Sequence, residues 1–389
     1  MSVWDSIVGQ ERAVRMLSAV VAGDPSGIAQ SWLICGPPGS GRSNIARAFA
    51  AALESPDGGL SSEPTRQTQQ VLAGTHPDVT VLATNKVTIG IDDVRDLIGL
   101  SEQNPSTAPW RIIIIEDVDR MLERTTNVLL KEIEEPAERT IWLLCAPSAQ
   151  DVLPTIRSRT RLVNLTVPAL SHVAAFLRSQ DVDADLAARC ARLSEGHIGV
   201  ASLYARDDMA RHGRDELVVG VLGLRRASDA VVLASRLVSE ASRQAEHEVE
   251  RLIAAEESEF RRINGLAEGD RIPASIRSSF NAIGKKDEVR RRITRLSRDV
   301  LDRALTSIAS VYRDVAVLQN SAQDDAGLVN LENRDAIIGM SVEMDRSEAI
   351  EASEEIERAR GRLAGNGNPT LVFEALFCSF AMLRRSGGR

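Results

Sequence analysis

The chain has 389 residues, enough for two or three domains with cores of their own. Its 43% hydrophobic and 26% charged residues are those of a soluble globular protein, and 3% aromatics leave core packing to aliphatic side chains. A net charge of −8 argues against a strongly basic nucleic-acid-binding surface as the main business of the chain, while allowing a local basic patch. The four cysteines (Cys35, Cys145, Cys190 and Cys378) form no C-x-x-C pair, which speaks against a zinc ribbon or a disulfide framework. The segment MSVWDSIVGQER has no basic region followed by an apolar run, and no apolar stretch is long enough to span a bilayer. The expectation is a cytoplasmic protein with no membrane partner.

A helical pattern over Ala13 to Val21 comes first, then an apolar run, Trp32 to Cys35, that reads as a buried strand. It ends in Gly36-Pro37-Pro38-Gly39-Ser40-Gly41-Arg42-Ser43, followed by an alanine-rich helical segment. Ser55 to Arg66 is rich in Pro, Gly and Ser and reads as a surface loop. Asp78 to Ala83 is a second strand and Ile91 to Gln103 a helix. Arg111 to Ile115 holds four consecutive isoleucines, a β-branched run suited to a central parallel strand covered on both faces, and leads to Glu116-Asp117. A helix stopped by Pro136, a strand over Thr140 to Ala146, a short helix and a strand over Arg161 to Leu165 complete the alternation. Such alternation predicts right-handed βαβ crossovers and a parallel sheet. From Pro168 onward strand signals vanish. The strongly charged segment Glu240 to Asn264 reads as a long helix with a solvated face and a narrow apolar stripe at Val249, Leu252 and Ile253.

Strand, glycine-rich turn and helix are the parts of a P-loop, where backbone N–H groups and a helix N-terminus cradle phosphates. Gly36, Gly41 and Ser43 are in register with G-x-x-x-x-G-K-[ST], but Arg42 stands in the lysine slot. Arginine carries the charge, yet its flat guanidinium does not replace a compact ammonium in a tight loop. Ser43 supplies the hydroxyl for Mg²⁺, and Glu116 and Asp117 supply carboxylates at the end of the isoleucine strand.

Val8-Gly9-Gln10-Glu11, GPPGSGRS, Gly74-x-His76-Pro77-Asp78, IIIIEDVDRM, Asn127-x-Leu129-Leu130-Lys131-x-x-Glu134-Glu135-Pro136 and Ser158-Arg159 together resemble the AAA+ ATPases of bacterial clamp loaders, and within them the delta-prime branch of DNA polymerase III. The resemblance covers roughly the first half of the chain. It implies an α/β P-loop (RecA-like AAA+) domain with a parallel sheet over residues 1–167, a small helical lid over 168–208 and an all-α collar over 209–389. It further implies a subunit that helps load the sliding clamp onto primer–template DNA beside gamma/tau and delta subunits. ATP with Mg²⁺ would be at most bound, at a degenerate loop formed by Gly36, Pro37, Pro38, Gly39, Ser40, Gly41, Arg42, Ser43, Glu116 and Asp117.

The departures from the family pattern set the chemistry. The family's Asp-Glu pair is reversed here to Glu116-Asp117, which displaces each carboxylate by a methylene. The polar sensor falls near Ala146-Pro147, and the sensor-2 arginine near Gly199. Impaired hydrolysis is therefore expected, and nothing resembles a nucleotidyl-transfer site. Arg159, in Ser158-Arg159-Thr160, matches the family's arginine finger, which acts in trans on a neighbour's ATP. The family's four zinc cysteines are missing between the first helix of the P-loop domain and His76, so no zinc is expected. Two alternatives stand beside this reading: an autonomous AAA+ ATPase of gamma/tau type, and a small-molecule P-loop kinase.

Overall fold

The computed structural model describes the chain apart from residues 1, 24–27, 62, 84–87, 268, 323–326 and 387–389. It divides into two compact units, Met1–Asp207 and Asp208–Arg389.

Five strands form the sheet of the first unit: β1 (Ser31–Cys35), β2 (Val79–Leu82), β3 (Arg111–Ile115), β4 (Thr140–Ala146) and β5 (Arg161–Asn164). Their order is β2-β3-β4-β1-β5, and every pairing is parallel. The continuous apolar runs are explained by burial on both faces. Alternate residues of a pleated strand point to opposite sides, so Ile112, Ile114, Trp32 and Ile34 enter one core. Ile113, Ile115, Leu33 and Cys35 enter the other. On the first face lies α2 (Arg42–Glu54), whose Ala46, Ala48, Ala50, Ala51 and Ala52 are all buried. Small side chains let this helix lie close on the sheet, where Phe49 meets Trp32 edge-on at 5.1 Å. The other face is covered by α4 (Ile91–Ser101) through Val94 and Leu97, and by α5 (Glu123–Glu134) through Leu129 and Ile133.

The loop after α2 is held by hydroxyls and one carboxylate. Asp57 accepts from the Ser55 hydroxyl and from the N–H groups of Gly59 and Ser61 at 3.0 and 3.1 Å. Ser55 and Thr68 each lie 3.3 Å from the Thr65 hydroxyl. Among the described residues no three His, Cys, Asp or Glu side chains gather to hold a metal ion. His76 is buried, and its Nδ1 accepts the Asp78 N–H at 3.2 Å. Asp78 is fully buried, accepts four bonds from Ser106 and Thr107, and lies 3.3 Å from Arg111. These bonds outweigh the opposing effect of burial and draw its pKa down to about 2.

After β5 come α7 (Leu170–Arg178), α8 (Ala184–Leu193) and α9 (Ile198–Arg206), packed on one another. The second unit is helical among its described residues. It holds α10 (Asp208–Leu222), α11 (Ala227–Ile263), α12 (Arg277–Ile283), α13 (Lys286–Gln319) and three further helices, Arg334–Glu343, Arg346–Ala364 and Pro369–Ser386. Its core gathers Leu301, Leu305, Ile308, Tyr312, Phe373 and Phe377. The helix expected from Glu240 begins at Ala227 instead, because the Asp229 carboxylate accepts the N–H groups of Arg225 and Arg226 and caps it there. Its buried stripe is Ala230, Ala234, Ala241, Ala245 and Val249, a small-residue pattern that apolar periodicity alone does not reveal. No helix among the described residues is long and apolar enough to cross a membrane.

Candidate P-loop site and arginine edge

From β1 the chain runs across to β2, and from its neighbour β4 it runs the other way to β5, so the connections diverge and open a crevice at the carboxyl ends of these two strands. Gly36 to Gly41 fill that position. The Gly36 N–H continues the ladder to the Ala146 carbonyl at 3.2 Å. Gly39 and Gly41 have φ of +84° and +88°, a left-handed backbone that glycine adopts at little cost. Gly41 caps α2, and Ser43 lies in its first turn, half-buried. Pro37 and Pro38 are exposed, while Ser40 is buried with its hydroxyl unpartnered. The Gln10 amide secures the loop from behind, donating to the Ser40 carbonyl at 3.1 Å and to the Thr166 carbonyl at 2.7 Å.

The side-chain cations of this crevice are directed inward. Arg42 donates to the carbonyl of Gly36 and approaches Asp117 at 3.4 Å. Asp117 has φ of +55° and also faces Arg120 at 3.5 Å. Glu116 pairs with Arg47 at 3.1 Å. Residue spacing gave no sign that Arg47 and Arg120 would complete this network, since their partners are distant or across a turn. β4 ends at Ala146, and the nearby Ser148 hydroxyl accepts the Gln150 N–H at 3.2 Å. In place of a sensor-2 arginine, the start of α9 lies against the loop. The Ile198 N–H points at the Gly39 carbonyl across 3.5 Å, and a Cβ on Gly39 would fall 2.4 Å from the His197 ring. His197 also caps α9 by accepting the Val200 N–H at 3.2 Å.

The loop backbone therefore fits a phosphate group: left-handed glycines, a helix N-terminus and an orphaned buried hydroxyl converge there. The carboxylate pair does not fit a divalent metal. Glu116 and Asp117 are each engaged by arginine, and neither is free to order water around a cation beside Ser43. Burial pushes the thiols of Cys35 and Cys145 up to about 11 and about 12, so neither is a nucleophile.

Arg159 lies away from this network, just after the short helix α6 (Pro154–Arg157). Its Nε pairs with Glu134 at the end of α5, and its Nη1 donates to the Thr155 carbonyl at 2.9 Å. The side chain remains 39% exposed, which leaves it accessible to another chain.

Residues 9–169 match the family described as DNA polymerase III, delta subunit. The chain is 34% identical over 135 residues to DNA polymerase III subunit delta' of Pseudomonas aeruginosa, covering 34% of this chain and 41% of that protein. With the Escherichia coli subunit delta' the identity is 31% over 181 residues, covering 45% and 54%. Over this region the chain is similar to delta-type subunits of DNA polymerase III. A gamma/tau subunit of Mycobacterium tuberculosis is also similar, 32% identical over 158 residues, covering 40% of this chain and 27% of that one. The aligned stretch thus spans about half the length of the delta' relatives. Among solved structures, a DNA polymerase III gamma subunit-related protein of Thermotoga maritima aligns over 96% of this chain and all of its own, with TM-score 0.43 and 15% identity. The P-loop, Glu116-Asp117 and Arg159 all lie within the DNA polymerase III delta match, and the unit from Asp208 lies outside it.

Proposed function

We propose that this chain is a delta-prime-type subunit of a DNA polymerase III clamp loader, with no effective ATPase of its own. In this reading residues 1–167 are the AAA+ domain, 168–208 its lid and 209–389 a collar that holds gamma/tau and delta subunits in a cytoplasmic assembly. That assembly opens the sliding clamp and loads it on primer–template DNA. The loop from Gly36 to Ser43 holds nucleotide phosphate at most. Gly36, Gly39 and Gly41 supply the backbone cradle, Ser40 its buried hydroxyl, and Arg42 stays committed to Asp117.

One contrast carries the proposal. The chain's own carboxylates are neutralised by Arg42, Arg47 and Arg120, whereas Arg159 keeps 39% of its side chain exposed and is held in place by Glu134 and the Thr155 carbonyl. An exposed arginine oriented at its Nε and Nη1 suits the stabilisation of charge on a neighbour's γ-phosphate, an effect that reaches about 10³–10⁵ in rate elsewhere.

The test is Arg159→Ala in the reconstituted loader. Assembly should persist by gel filtration, while ATP turnover should fall at least about tenfold, with Arg159→Lys unable to restore it because a point charge cannot reproduce the guanidinium fork. Unchanged turnover would remove the trans role.

A further inference from the structure

The second unit carries a projection that the clamp-loader reading does not use. Between Val249 and Leu301 none of the described residues is buried, although α11 and α13 run helically through most of that interval. The two helices leave the core as an exposed hairpin. Arg292 crosses from α13 to Glu256 on α11 at 2.8 Å. Near the tip Phe260 meets Phe280 at 5.6 Å, with Arg261 stacked on Phe280 at 5.3 Å. These contacts give the hairpin a defined shape without a core.

Its charge is opposite to that of the whole. Residues 261–298 contain eleven Arg and Lys against four Asp and Glu, a net +7 in a chain of net −8. Some of these cations are internally paired, as Arg262 is with Glu259 at 2.6 Å and Arg291 with Glu288 at 3.6 Å. Arg271, Lys285, Lys286 and Arg290 are exposed and have no acidic partner among the described residues. Lys286 and Arg290, one helical turn apart, line a shallow groove of about 460 Å³ floored by Val289 and Ile293, in which Glu246 is the only acid.

We propose that this hairpin is a binding arm for the phosphodiester backbone of duplex nucleic acid. A polyanion fits better than a protein partner. Specific protein interfaces have an apolar centre, and Ile263 is the only large hydrophobic residue of the described arm that is strongly exposed. A backbone of closely spaced charges needs only cations on a projecting scaffold, with affinity coming from released counterions. The reading of Glu240 to Asn264 as a solvated face concerns the internally paired acidic stretch of α11; the tip and the start of α13 lie beyond it, and there cations are in excess.

The test uses the full chain alone, so it requires no partner subunit and its failure is separate from failure of the clamp-loader proposal. Binding to a fluorescent DNA duplex of arbitrary sequence is measured by anisotropy across a salt series, for the wild type and for Lys285→Ala/Lys286→Ala/Arg290→Ala. All three positions are exposed, so helicity by circular dichroism should be unchanged. The variant should bind at least about tenfold more weakly at low salt, and its log–log salt slope should be shallower by about 2.7, or about 0.9 per lost contact. The proposal is overturned if the variant matches the wild type in affinity and slope. It is equally overturned if the wild type shows no binding at about 100 µM, the weak end of non-specific association. Displacement of the duplex by an equal charge of polyglutamate would reassign the arm to an acidic protein.

Discussion

The Arg42 guanidinium lies 3.4 Å from the Asp117 carboxylate and also donates to the Gly36 carbonyl. It joins the first turn of α2, the glycine-rich loop and the end of the isoleucine strand. Both side chains are less than a third exposed, but the pair is a long one, so Arg42→Ala should cost under about 1 kcal/mol in urea denaturation. Loader turnover should stay within about threefold of wild type, in contrast to Arg159→Ala. Abolished clamp loading would show that Arg42 serves a working nucleotide site.

Gly39→Ala tests how the start of α9 is seated. The new methyl would meet the His197 ring at 2.4 Å, and φ of +84° is unfavourable for alanine. The left-handed conformation alone costs about 1–2 kcal/mol. A loss of at least that size is expected, with amide exchange accelerated at the start of α9. A variant as stable as wild type would mean that the contact is dispensable.

Stability of the first unit should fall with rising pH because of Glu54. It is 1% exposed, and burial, offset only in part by the Trp110 backbone N–H, raises its pKa from 4.5 to about 8. Its contribution is complete below pH 4.5 and disappears as pH rises through about 8, since over that window the folded state holds a proton that the unfolded state has released. The slope is at most about 1.4 kcal/mol per pH unit. Asp78, drawn down to about 2, is ionised in both states across this window and adds no slope. Thermal unfolding at pH 6 and pH 8 should therefore differ clearly in the wild type and much less in Glu54→Gln. Equal slopes would place the titration elsewhere.

Much of the first unit was legible because its signals are local. Four isoleucines in a row require burial on both faces, and the glycine pattern of residues 36–43 requires a strand before it and a helix after it. The helices of the second unit were harder to delimit. α11 buries a stripe of alanines, and alanine stripes are nearly silent in hydrophobic periodicity. The zinc cysteines' absence was visible, but the Ser55–Asp57–Thr65–Thr68 hydroxyl network was not, because hydroxyls acquire partners only when a loop folds back on itself.

By itself the sequence determined that this chain has a parallel α/β P-loop domain, an arginine in place of the loop lysine, and a long helical remainder. Those are properties of covalent order: side-chain volume, φ preference and periodicity act over a few residues. Only the tertiary structure decided where the cations go. Arg42 turns onto Asp117, Arg47 crosses to Glu116 from 69 positions away, and Arg159 stays half-exposed beside Glu134. Charge partners are chosen by distance in space. A string of residue types therefore names the candidates, and the folded backbone selects among them.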